Sequence, residues 1–132
     1  MLRVIKLWLP VIVWAAIILS AANDEFSNDN TRSWLERIFG DVPQIVNVVF
    51  RKGGHIVAYA ILGLLAWRAQ LTLRGALAIV LAVSIADETL QSTTLTREGS
   101  PYDVLLDTCG ALLALTVVPA VRARLSSRAR AG

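Results

Sequence analysis

The sequence predicts an all-α fold, a four-helix transmembrane bundle with both termini cytoplasmic, on three observations. Of 132 residues, 55% are hydrophobic and only 17% charged, and the mean hydropathy of +0.58 lies outside the range of an ordinary soluble domain. Four runs approach the roughly 20 apolar residues that one helical crossing of the bilayer core requires. The basic residues gather at alternate ends of those runs. No internal repeat, Pro-rich linker or low-complexity block divides the chain, so 1–132 reads as one membrane domain.

The first predicted span covers 4–22, VIKLWLPVIVWAAIILSAA. Arg3 and Lys6 before a short apolar core, with Ser20 ahead of Ala22, also resemble a secretory signal and its cleavage site. Retention as a span is preferred, and either outcome leaves the later spans oriented alike. An exported loop follows over 23–45, where Asp24, Glu25, Asp29, Glu36 and Asp41 outnumber Arg32 and Arg37. Trp34, Ile38 and Phe39 give that loop a face able to lie on the membrane interface. Asp41 and Pro43 mark a helix start, and the second span runs over 46–67. Gly75, just after Arg74, predicts a tight turn. The third and fourth spans cover 74–91 and 102–121.

Orientation follows from the bases, because Lys and Arg near span ends stay on the cytoplasmic side. Arg3 and Lys6 precede the first span, Arg68 and Arg74 bracket the connection between the second and third, and Arg122, Arg124, Arg128 and Arg130 follow the fourth. No acid falls in any of these segments. A net charge of +3 does not argue for nucleic acid, since the bases are scattered between apolar runs instead of forming one basic face. The single cysteine, Cys109, has no partner for an internal disulfide and reads as a small packing residue.

Charged residues inside the spans carry the functional signal. Taking Trp67, Arg74 and Arg122 as inner anchors and 1.5 Å per helical residue, His55, Asp87 and Asp107 rise to about 18, 20 and 22 Å, a shared level in the outer half of the bilayer. Residues three, four or seven apart share a helix face. Lys52, His55 and Tyr59 form one stripe, Arg51 with His55 another, Ser84 with Asp87 and Gln91 a third, and Asp103 with Asp107 and Gly110 a fourth. Such stripes must avoid lipid, so they are expected to face one another as an outward-opening polar pocket or a closed ion-pair cluster.

The segments RKGGHIVAYAILG and DETLQ, then an Arg, then SPYDVLLDTCGALLA resemble the VanZ-like family of small bacterial membrane proteins, over roughly 48–115. By that resemblance the family positions fall on Lys52, His55, Tyr59, Asp87, Glu88, Gln91, Arg97, Asp103 and Gly110. Asp107 stands where the family often shows Asn, and Ala114 where it often shows a second Gly. The resemblance implies a multi-pass protein of the bacterial cytoplasmic (inner) membrane. The founding member is linked to teicoplanin resistance without a settled chemical mechanism, and that role is not carried to this chain.

As an enzyme, the cluster offers His55 as general acid or base, Asp87 and Glu88 as carboxylates to orient it or take its proton, and Arg51, Lys52 and Arg97 to hold an anion. Tyr59, Gln91, Asp103 and Asp107 complete the expected binding set. The expected ligand is an anionic lipid or a polyprenyl-phosphate-linked envelope intermediate. The competing expectation is a non-catalytic module: Arg51, Lys52 and Arg97 face Asp87, Glu88, Glu98, Asp103 and Asp107, a set that largely neutralises itself. A carboxylate metal site from Asp87, Glu88, Asp103 and Asp107 is set aside because three cations would compete with the ion and the Glu-x-x-His spacing of di-metal bundles is absent. No cofactor, metal or nucleic-acid partner is expected, and the sequence leaves the oligomeric state open. Gly53 and Gly54 either permit close helix contact or free backbone groups to line a pocket.

Overall fold

The computed structural model of the chain describes residues 2–22, 28–70, 72–93 and 100–131. Five helices carry the described residues: α1 (Leu2–Ser20), α2 (Asn28–Phe39), α3 (Gln44–Gln70), α4 (Leu73–Ser92) and α5 (Pro101–Ala131). The expected spans fall on α1, α3, α4 and α5. α2 is additional and occupies the loop expected to be exported. Three segments, Leu2–Ser20, Gln44–Ala69 and Pro101–Arg130, are long and apolar enough to cross a membrane. α4 is not among them.

Local chemistry fixes the boundaries. α2 stops at Gly40, whose φ of 81° is a left-handed conformation that glycine adopts without a Cβ clash, and whose N–H donates to Glu36 O at 3.0 Å. α3 begins directly after Pro43, as Asp41 and Pro43 predict. Thr72 is the N-cap of α4, its hydroxyl oxygen accepting from the Gly75 N–H at 3.2 Å. Gly75 therefore belongs to the first helical turn. The tight turn expected there does not form at that glycine, because a threonine that can cap precedes Leu73. Pro101 opens α5, where a missing N–H costs no helical bond.

α3 is the central element and packs against all four other helices, while α1 also touches α4, and α4 packs on α5. The core draws Val11 and Ile18 from α1, Tyr59, Leu62 and Ala66 from α3, Ala76 and Val80 from α4, and Ala111 and Leu115 from α5. Trp14 ties α1 to α3 by donating its indole N–H to Ala58 O at 2.9 Å. Small residues let α3 and α5 approach closely: a Cβ on Gly110 would meet Ile56 Cγ2 at 3.0 Å, and one on Gly63 would meet Ala111 Cβ at 3.1 Å. Gly53 and Gly54 do not serve that purpose, since no described residue lies within 4 Å of a Cβ built on either.

The outer surface is apolar. Leu9, Ile12, Val13, Val57, Leu81, Ile85, Leu105 and Leu113 are all exposed, an arrangement that water would penalise and lipid would not. Cys109 is exposed as well. It turns away from the core, so the packing role expected from its apolar setting does not hold. On α4 the usual polarity is inverted: Ala76, Val80, Ser84, Asp87, Glu88 and Gln91 form its buried stripe, while Leu81, Ile85 and Leu90 face outward.

Candidate functional site

Each pair among α3, α4 and α5 is joined by a polar contact. Between α3 and α4, the Tyr59 hydroxyl donates to Asp87 Oδ2 at 3.0 Å. Between α4 and α5, the Ser84 hydroxyl donates to Asp107 Oδ2 at 2.8 Å. Between α3 and α5, His55 Nδ1 faces Asp107 Oδ1 at 3.4 Å, and one turn outward Lys52 forms a salt bridge with Asp103. The His55 ring lies over Tyr59 with centroids 6.2 Å apart and 26° between planes. Asp87 is 2% exposed and Asp107 0%. One ligating atom from each of His55, Asp87 and Asp107 falls within 4.8 Å of the other two.

Two cavities meet at His55. A polar one of about 120 Å³ is bordered by Arg51, Lys52, His55, Gln91 and Asp103, with Val48 and Leu106 as its apolar walls. A largely apolar one of about 220 Å³ lies between α1, α2 and α3, bordered by Ile18, Ala21, Phe50, Gly54 and Ala58, with Thr31 of α2 on its rim. Arg51 and His55 line both cavities. Gly54 borders the apolar cavity from within the continuous helix α3, so neither of its expected roles applies as stated. α2 is held over this region by buried Leu35 and by Trp34, whose ring centroid lies 6.3 Å from that of Phe50.

The family model described as VanZ/LLP1 matches residues 7–122. The chain belongs to the VanZ/LLP1 family. No curated protein and no solved structure matches it. It is a multi-pass membrane protein, with three helices apolar enough to span and a buried His/Asp cluster.

In this VanZ-family protein the expected common level of His55, Asp87 and Asp107 is realised, but the pairings differ from those expected. The carboxylate facing the imidazole is that of Asp107, whereas Asp87 receives the Tyr59 hydroxyl. Glu88 points elsewhere. Its Oε2 accepts the Ser100 N–H at 2.5 Å, and the side chain lines a separate open groove between α4 and α5 with Thr89, Ser92 and Pro101. Gln91 and Asp103 reach the polar cavity, and Tyr59 reaches the apolar one. Arg97 and Glu98 lie outside the described residues.

One further residue joins the cluster through Asp107. Ser84 sits on the recognised stripe of α4, yet a serine in a helix carries no sequence mark of donating to a carboxylate on another helix.

Proposed function

We propose that this protein crosses the bacterial inner membrane four times, α4 included, with both termini cytoplasmic. Its outward-facing site binds an anionic lipid or lipid-linked envelope intermediate and, as the fuller form of the activity, transforms it. The observation that supports this is the pair of cavities sharing Arg51 and His55. An amphiphile needs one compartment that tolerates its chain and another that stabilises its head, with a cation at the junction. Arg51, Lys52 and Arg97 serve the anionic group. Gln91 and Asp103 line the head compartment, and Tyr59 the other.

For the transformation, His55 is the general acid or base, and Asp107 orients its imidazole. Asp87 steadies Tyr59 beneath the ring. Glu88 acts through its hold on Ser100 and the start of α5, a positioning role.

A non-catalytic module, in which the same cluster fixes helix packing or engages a partner, is the second reading. It is favoured by the closure of the cluster on itself: Tyr59 to Asp87, Ser84 to Asp107, Lys52 to Asp103 and Ser100 to Glu88 are all internal contacts.

Native mass spectrometry of the chain released from mild detergent separates the two. Retention of a phospholipid or polyprenyl phosphate by the wild type, lost in Arg51→Ala at unchanged melting temperature, supports the binding site. Equal retention in both, or none in either, refutes it. Turnover of the retained lipid by wild type and not by His55→Ala would establish the chemical step.

A further inference from the structure

We infer that His55, Asp87 and Asp107 form a binding site for one divalent transition-metal ion of the zinc class, at the junction of α3, α4 and α5. The set weighed from sequence does not assemble, because Asp103 is engaged by Lys52 and Glu88 by the Ser100 N–H. What converges instead includes the imidazole. The 3.4 Å between His55 Nδ1 and Asp107 Oδ1 is long for a hydrogen bond, which falls at about 2.7–3.2 Å. It matches two ligands of one tetrahedral ion with bonds of about 2.0–2.1 Å, whose mutual separation is roughly 3.4 Å.

A second observation points the same way. Asp87 Oδ1 and Asp107 Oδ1 are buried and accept no hydrogen bond among the described residues, although Oδ2 of each receives a hydroxyl. Each acid thus has one oxygen oriented by a neutral donor and one left over, the usual division of labour for a carboxylate ligand held by a second-shell partner. Hydroxyl donors orient a carboxylate without neutralising it, and two buried acids so close together require a cation or a proton. One imidazole with two carboxylates suits zinc or its first-row neighbours better than calcium, which takes six to eight oxygens, or magnesium, which keeps several waters. Three protein ligands leave a coordination position open, the arrangement of catalytic sites. With the ion bound, His55 Nδ1 is a ligand, so the acid–base role proposed above belongs to the ion-free site; the metal site stands on these contacts whether or not the protein binds lipid.

The test uses the full chain, produced without a polyhistidine tag, with Zn²⁺ alone as the probe. After dialysis it is expected to retain about one Zn²⁺ per chain, and X-ray absorption at the zinc edge is expected to show one imidazole nitrogen at about 2.0–2.1 Å. His55 is the only histidine, so that signal has a single source. His55→Gln and Asp107→Asn are each expected to weaken Zn²⁺ by more than about tenfold, since loss of a mere second-shell partner already costs about that. Lys6→Met, on α1 and bordering neither cavity, should leave the affinity unchanged. Asp107→Asn keeps an oxygen for the Ser84 hydroxyl and so retains that contact between α4 and α5. Should either ligand variant fail to fold, the wild-type spectrum decides alone. Stoichiometry well below one, a spectrum without imidazole, or unchanged affinity in folded ligand variants overturns the site.

Discussion

Replacing Gly110 with alanine puts a methyl group where α5 crosses α3. The new Cβ would lie 3.0 Å from Ile56 Cγ2, 3.2 Å from Ile56 O and 3.3 Å from Ile56 Cα. The methyl of Ile56 can rotate away, but its carbonyl and Cα move only with the helix. Carbon atoms rest at about 3.5–4.0 Å, so the two backbones must separate by about 0.2–0.7 Å. Ile56 adjoins His55, and Gly110 is one turn from Asp107, so the same displacement lengthens the 3.4 Å His55–Asp107 contact. Overpacking of this kind costs about 1–3 kcal/mol, while glycine to alanine inside a helix returns about 0.8–1 kcal/mol.

Gly53→Ala isolates the second quantity, since its Cβ would meet nothing within 4 Å among the described residues. The difference between the two variants is therefore the overpacking cost, about 1–3 kcal/mol, with Gly110→Ala the less stable. Equilibrium unfolding of both in the same detergent measures it. Equal stability, or a more stable Gly110→Ala, would show that this crossing does not set the spacing of the site.

Tyr59→Phe removes the donor to Asp87 and Ser84→Ala the donor to Asp107. Each leaves a buried carboxylate oxygen unsatisfied and is expected to cost about 1–3 kcal/mol in the same unfolding assay. Wild-type stability in either would mean that water already serves that oxygen. Lys52→Met is expected to change stability by less than about 1 kcal/mol, because half of the lysine side chain is exposed and such pairs are weak. A larger loss would place that salt bridge among the structural contacts. In a Cys109→Ser background, Ser33→Cys should react with an impermeant maleimide in intact cells, and Ser127→Cys only after permeabilisation. The reverse pattern would invert the proposed topology.

Much of the fold was legible because hydrophobic length and basic flanks are one-dimensional signals. The spans at 4–22, 46–67 and 102–121 fall on α1, α3 and α5. The common depth of His55, Asp87 and Asp107 was legible too, since helical rise converts residue count into height. Azimuth was harder to read. Asp87 and Glu88 are adjacent, so a stripe argument admits both, yet α4 turns Asp87 toward Tyr59 and Glu88 toward Ser100. Which acid meets His55 depended on the α3–α5 approach permitted by Gly63 and Gly110, a matter of contact between distant segments. α2 escaped notice because the loop's charge pattern masked its helical period, although Thr31 and Leu35 are spaced to share a face.

The inverted polarity of α4 bears on how the protein is made. Ser84, Asp87, Glu88 and Gln91 face inward, and two of their partners, Asp107 and the Ser100 N–H, come at and beyond the start of the last helix. During synthesis, α4 leaves the ribosome before those partners emerge from it. Its packed position is then a shared product of α3 and α5, completed only when the C-terminal quarter arrives. A nascent chain halted ahead of Ser100 would leave Ser84 and Glu88 without these partners.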